Sequence, residues 1–64
     1  EPLKIFPFSV TDILYISRMS DYEITTSDGR SILIGKGKSI QLKNLKRGEY
    51  FITIGDWIEK FVKN

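Results

Sequence analysis

Apolar and polar residues alternate with a period of two along most of this 64-residue chain, the spacing that puts successive side chains on opposite faces of a β-strand. Tyr22, Ile24 and Thr26 alternate with Glu23 and Thr25, and Tyr50, Ile52 and Ile54 alternate with Glu49, Phe51 and Thr53. Turn-forming residues recur at short intervals and helical periodicity is nearly absent, so the pattern predicts an all-β chain. The expected segments are Leu3 to Phe8, Ile13 to Ser17, Tyr22 to Thr26, Ser31 to Ile34, Ser39 to Leu42, Glu49 to Ile54 and Trp57 to Val62.

The residues between these segments say how they connect. Pro7 cannot donate to a ladder and so belongs at an edge or a strand end. Arg18 to Asp21 reads as a polar turn and Gly35-Lys36-Gly37-Lys38 as a flexible one. Asp28-Gly29 between alternating segments predicts a two-residue type I′ hairpin, in which both central residues take positive φ. Lys46-Arg47-Gly48-Glu49 reads as a tight turn hinged at Gly48, with Leu45 folding back onto the Tyr50 face. Gly55-Asp56 predicts a second hairpin; the competing reading is a helix over Asp56 to Lys63, capped by Asp56 with Ile58 and Val62 four apart.

About seven short antiparallel strands imply a small antiparallel Ig-like β-sandwich. Its expected core is Leu3, Ile5, Leu14, Ile16, Ile24, Ile32, Ile34, Ile40, Leu42, Leu45, Tyr50, Ile52, Ile58 and Val62.

Composition narrows the picture. The chain, residues 1–64, has the size of one small domain and no cysteine to staple it, so its core has to be well patterned. The content of 41% hydrophobic and 28% charged residues is that of a folded chain. No apolar run approaches the roughly 18 residues of a membrane span, and no signal peptide is visible. Glu1-Pro2 in place of an initiator methionine leads to the expectation of a fragment or a processed C-terminal piece rather than a complete gene product. Net charge is +2 but unevenly placed, with seven basic and three acidic residues from 36 onward; such a half can mark a nucleic-acid or acidic-partner surface, or stand as a solvated face.

The chemistry expected is binding rather than catalysis. With no histidine and no cysteine, the usual general base, the thiol nucleophile and the commonest transition-metal ligands are missing. Asp12, Asp21, Glu23 and Asp28 fall at turns or outward strand positions, where solvation and turn hydrogen bonds account for them. Gly35-Lys36-Gly37-Lys38 lacks the GxxxxGK[ST] spacing of a phosphate loop. Trp57 reads as a packing residue. No cofactor or metal is expected, and no nucleic acid.

Taken in order, FPFSVTDILYI, YEITTSDGR, SIQLKNLKRGEYFITI and EKFVK resemble the type A C-terminal sorting domain carried by cargo of the type IX secretion system. The resemblance covers nearly all of Lys4 to Lys63. Pro7 matches the first proline of that family's opening motif, and Val10, Thr11 and Asp12 its tail. Gly29 and Arg30 match its turn, Leu45, Gly48 and Tyr50 its Leu-x-x-Gly-x-Tyr unit, and Lys60, Phe61 and Lys63 its closing basic strand. Phe8 and Ser9 depart from the family's asparagine and second proline.

The resemblance implies a non-catalytic signal domain, continuous with an N-terminal cargo domain. It would carry that cargo from the periplasm through the outer membrane of Bacteroidota to the cell surface or medium. The partners implied are the translocon, an outer-membrane shuttle protein and a surface sortase, with Pro7, Asp12, Gly29, Arg30, Leu45, Gly48, Tyr50, Lys60 and Lys63 as recognition residues. Two alternatives stand beside it. One is an Ig-like accessory domain that spaces or stabilises an extracellular protein. The other is a LytTR-like DNA-binding domain, which DILYIS and YEITTSDGR also resemble, although the Phe-x-x-x-His-x-Ser segment of that family is missing.

Overall fold

The structure, a computed structural model, describes residues 3–64; Glu1 and Pro2, on which the expectation of a preceding segment rests, lie outside the described residues. Six strands follow one another: β1 (Ile5–Phe6), β2 (Ser9–Val10), β3 (Ile13–Thr26), β4 (Ser31–Gln41), β5 (Gly48–Ile54) and β6 (Trp57–Lys63). The all-β class expected from the period of two is what forms, and no helix occurs among the described residues. Trp57–Lys63 is a strand, so the helical alternative over that stretch is set aside.

The strands build one continuous sheet in the order β1-β3-β5-β6-β2, with β4 paired to β3. The two ends of that path, β1 and β2, are separated in the chain by Pro7 and Phe8 alone. The sheet therefore has to roll until its ends meet, which gives a barrel-like form rather than two separate sheets. All pairs are antiparallel except β2 with β6, which is parallel. Pro7, with no N–H to offer either neighbour, sits where the chain leaves β3 and joins β6.

Two of the expected turns are not turns. Arg18 to Asp21 lies inside β3 and the Gly35–Lys38 run inside β4, and they pair with each other through Ser20↔Gly37 and Asp21↔Lys36. The ladder shifts register between Tyr15 and Ser20. Two long strands thus bend together as they pass from one side of the core to the other, and polar or glycine-rich composition marks that corner rather than a reversal. Gly35 faces Tyr22 across the ladder; a Cβ there would come within 2.5 Å of the tyrosine Oη, so the ring lies directly over bare backbone.

The β3–β4 hairpin also differs in kind. Gly29 has φ 93°, but no residue other than glycine has positive φ among the described residues, so Asp28 does not and the turn is not type I′. Instead Gly29 N–H donates to the Thr26 carbonyl at 2.9 Å and Thr26 N–H to the Arg30 carbonyl at 2.9 Å. That is a three-residue loop with its glycine in the left-handed position, the next commonest hairpin. Gly55-Asp56 does form the two-residue loop expected, with Ile54 opposite Trp57.

The core is Ile5, Val10, Leu14, Ile16, Ile24, Ile40, Leu42, Tyr50, Ile52 and Phe61, with Leu3, Leu45 and Trp57 among the residues packed against it. Four expected members are instead exposed: Ile32 (38%), Ile34 (74%), Ile58 (62%) and Val62 (38%). Along β6 the faces are inverted relative to expectation. The two-residue loop sets Tyr50 opposite Phe61 and Ile52 opposite Glu59, and opposed residues share a face. Since Tyr50 and Ile52 point inward, Phe61 does too, and Ile58 and Val62 point out. Ile34 is exposed because it stands opposite Glu23 on the outer face, whereas Leu33 stands opposite buried Ile24; Ile32 falls where the ladder with β3 shifts register.

Candidate functional site

The loop from Leu42 to Gly48 carries the chain from β4 to β5, and its end is locked by one side chain. Tyr50 Oη donates to the Lys46 carbonyl at 2.7 Å, four residues upstream. This is a tyrosine corner of the kind found in β-sandwiches. The Tyr50 ring is buried and stacks on Phe61 with centroids 5.9 Å apart. Leu45, half-buried, packs on the core, and its N–H donates to the Leu42 carbonyl at 3.0 Å. Gly48 joins the two halves at φ 149°, a region that side-chain-bearing residues rarely occupy. The Leu-x-x-Gly-x-Tyr spacing read from the sequence thus corresponds to a single corner.

Next to this corner the chain's last residues are tied on both sides. β6 pairs with β5 through Gly48↔Lys63, Glu49↔Val62 and Tyr50↔Phe61, and with β2 through Ser9↔Val62 and Val10↔Lys63. Val62 N–H donates to the Phe8 carbonyl and Asn64 N–H to the Val10 carbonyl, each at 2.8 Å; Asn64 Nδ2 reaches Ser9 Oγ at 2.7 Å. The positions that depart from the family motif, Phe8 and Ser9, therefore still form the seam that holds β6.

A shallow groove lined by Arg47, Gly48, Val62, Lys63 and Asn64 opens at this end. Lys46, Arg47, Lys60 and Lys63 supply positive charge around it, against Glu49. Lys60 Nζ lies 4.0 Å from Glu49 Oε1, with both side chains more than half exposed, a pair that contributes little to stability.

The expected recognition residues divide into groups. Leu45, Gly48, Tyr50, Lys60 and Lys63 come together at the β5–β6 end. Lys63 is not the projecting charge that the closing-strand pattern suggests: it is 6% exposed, on the inward face with Phe61, and its Nζ donates to the Asn64 carbonyl at 2.9 Å. Its stem packs inside while its head reaches the rim, as long basic side chains do. Pro7 lies at the β1–β2 switch. Asp12 is exposed, and its carbonyl accepts from Leu42 N–H at 2.7 Å, so its main chain anchors the end of β4.

Gly29 and Arg30 form the β3–β4 tip, with Thr26 opposite Tyr50 placing that tip beyond the same end of the sheet. The sequence reading missed Val10, Phe61 as a core residue and the Asn64–Ser9 contact. The two-residue Gly55-Asp56 loop was the signal that could have placed Phe61 inside.

The hairpin tip has its own electrostatics. Thr26 Oγ1 donates to an Asp28 carboxylate oxygen and accepts from Arg30 N–H at 3.1 Å. The Thr26 hydrogen bond, helped by backbone bonds and the Arg30 charge, holds the Asp28 carboxyl below its ordinary value of 3.8. A depressed carboxyl stabilises the fold above its unfolded value and loses that contribution as pH falls through the folded one. An NMR titration of Asp28 is expected to show a midpoint below 3.8, moving up towards that value in Thr26→Val.

Among the described residues, no group of three or more His, Cys, Asp or Glu is placed to hold a metal, and no helix is long and apolar enough to cross a membrane. The chain matches no family model, no curated protein and no solved structure.

Proposed function

We propose that this chain is a non-catalytic C-terminal sorting domain, read by the outer-membrane translocon of the type IX secretion system and by its shuttle and sortase partners. The observation that supports this reading most is the corner itself. The Leu45–Gly48–Tyr50 unit that carries the family resemblance is a rigid, side-chain-locked feature, set beside a basic groove and a doubly paired final strand. A translocon that accepts folded cargo needs such a fixed surface, because ordering a flexible tag on binding would cost affinity.

The test is delivery. Fused to the C-terminus of a periplasm-directed fluorescent reporter, the 64 residues are expected to send it to the surface or medium in a host with an intact type IX system. In a host lacking the translocon the reporter is expected to stay in the periplasm. Retention in both hosts, with the domain folded, would sink the sorting role and leave a spacer domain of an exported protein, since a fold of this kind can serve many functions.

A further inference from the structure

A second surface adjoins the loop of the corner. Among the described residues β4 pairs only with β3, so one edge of an eleven-residue strand presents open N–H and C=O groups. Edges of this length are usually blunted by proline, brevity or charge. Here proline and brevity are missing, and the first half of the strand shows Ile32, Leu33 and Ile34 at 38%, 37% and 74% exposure. Beside it lies a groove of about 220 Å³, lined by Ile24, Ile32, Leu33, Leu42 and Leu45 together with the polar Gln41 and Asn44. A cavity of about 150 Å³ holds a benzene ring, so this one accommodates a large apolar side chain.

Charge decides what can occupy the edge. Residues 29–48 contain six lysines and arginines and no acidic residue, and Arg30, Lys36 and Lys38 on or next to β4 are exposed. A second copy is disfavoured, because symmetric antiparallel pairing centred on Leu33 sets Arg30 opposite Lys36, and like charges across a ladder repel. On its covered side Lys36 stands opposite Asp21, and Ile34 opposite Glu23. A strand carrying carboxylates would repeat that neighbour on the open side.

We propose that β4 is a docking edge for an extended segment of a partner protein in which acidic and apolar residues alternate, bound by strand addition. Main-chain hydrogen bonds supply the affinity, the groove takes one apolar side chain, and Lys36 and Lys38 select carboxylates, the division of labour usual for this mode of recognition. Its groove shares Leu42 and Leu45 with the loop of the corner, but the edge lies on β4 and the proposal does not depend on the sorting role.

The probe is a fluorescent seven-residue peptide of alternating glutamate and valine, titrated with the 64-residue chain. Saturable binding is expected, with amide exchange slowed along β4. A peptide with lysine in place of glutamate should bind at least tenfold more weakly, and the double variant Lys36→Glu/Lys38→Glu, altered only at exposed positions, should reverse that preference.

No binding, binding without slower exchange in β4, or equal affinity for the two peptides would overturn the proposal. So would preferential binding of a single-stranded oligonucleotide at β4, which would make the edge a nucleic-acid contact. Sedimentation showing dimers joined through β4 would replace the partner segment by a second copy.

Discussion

Phe61→Ala is expected to remove at least about a third of the domain's stability, while truncation one position on, Val62→Ala, leaves it nearly unchanged. Phe61 is 1% exposed and stacks on Tyr50 at the corner. Removing a buried phenylalanine costs about 3–5 kcal/mol in lost transfer energy and residual cavity. At roughly 0.05–0.15 kcal/mol per residue, a chain of this length has a total stability on the order of 3–10 kcal/mol. The truncation therefore takes a third of the stability at best and all of it at worst. Val62 is 38% exposed on the outer face, and losing its methyl groups costs no more than about 1 kcal/mol. Urea unfolding followed by tryptophan fluorescence of Trp57 separates the two. Equal midpoints for the variants, or a larger loss for Val62→Ala, would show that β6 presents its other face to the core.

That pair also marks where the sequence could be read and where it could not. Strands with one aliphatic face, such as Tyr22–Thr26 and Glu49–Ile54, declared their inward residues directly, and Ile24, Tyr50 and Ile52 are buried as expected. β6 has apolar residues on both faces, Trp57 and Phe61 on one and Ile58 and Val62 on the other. Hydrophobicity alone therefore did not choose, and the choice lay in the loop length that fixes register. The burial of Lys63 follows from the same parity.

The corner at Arg18–Asp21 and Gly35–Lys38 was illegible for a different reason. Locally it has turn composition, and only the pairing of one segment with the other, made across the chain, keeps both extended. The open edge of β4 was hidden likewise, because which strand lies outermost is decided by non-local pairing. Of the candidate site, the Leu45–Gly48–Tyr50 unit was visible as a unit. Its lock, Tyr50 Oη to the Lys46 carbonyl, needed the structure.

A physical tension follows for the sorting reading. A tyrosine corner stabilises a β fold whatever the fold is for, so the motif that resembles an export address also has a purely architectural use. Separating the two requires a change that reshapes the corner more than it weakens the domain.

Gly48→Val is that change, and under the sorting role it is expected to lower delivery of the reporter at least tenfold. A Cβ at Gly48 would meet only Tyr50 Cε2, at 4.0 Å, an ordinary contact. The cost is the φ of 149°, about 1–3 kcal/mol for a side-chain-bearing residue held there, or else a shift of the corner that relieves it. Two controls carry similar or smaller losses without moving the backbone. Ile5→Val and Ile16→Val each remove one buried methylene where β1 pairs with β3, a loss of about 0.5–1.5 kcal/mol, and leave the Tyr50 bond to Lys46 and the groove intact. Thermal midpoints and reporter delivery are measured for all three. Delivery lost in Gly48→Val and kept in both controls means the shape of the corner is read. Delivery that falls in step with the midpoints, whichever residue is changed, means the export machinery requires only a folded domain, and the Leu45–Gly48–Tyr50 unit is then architecture alone.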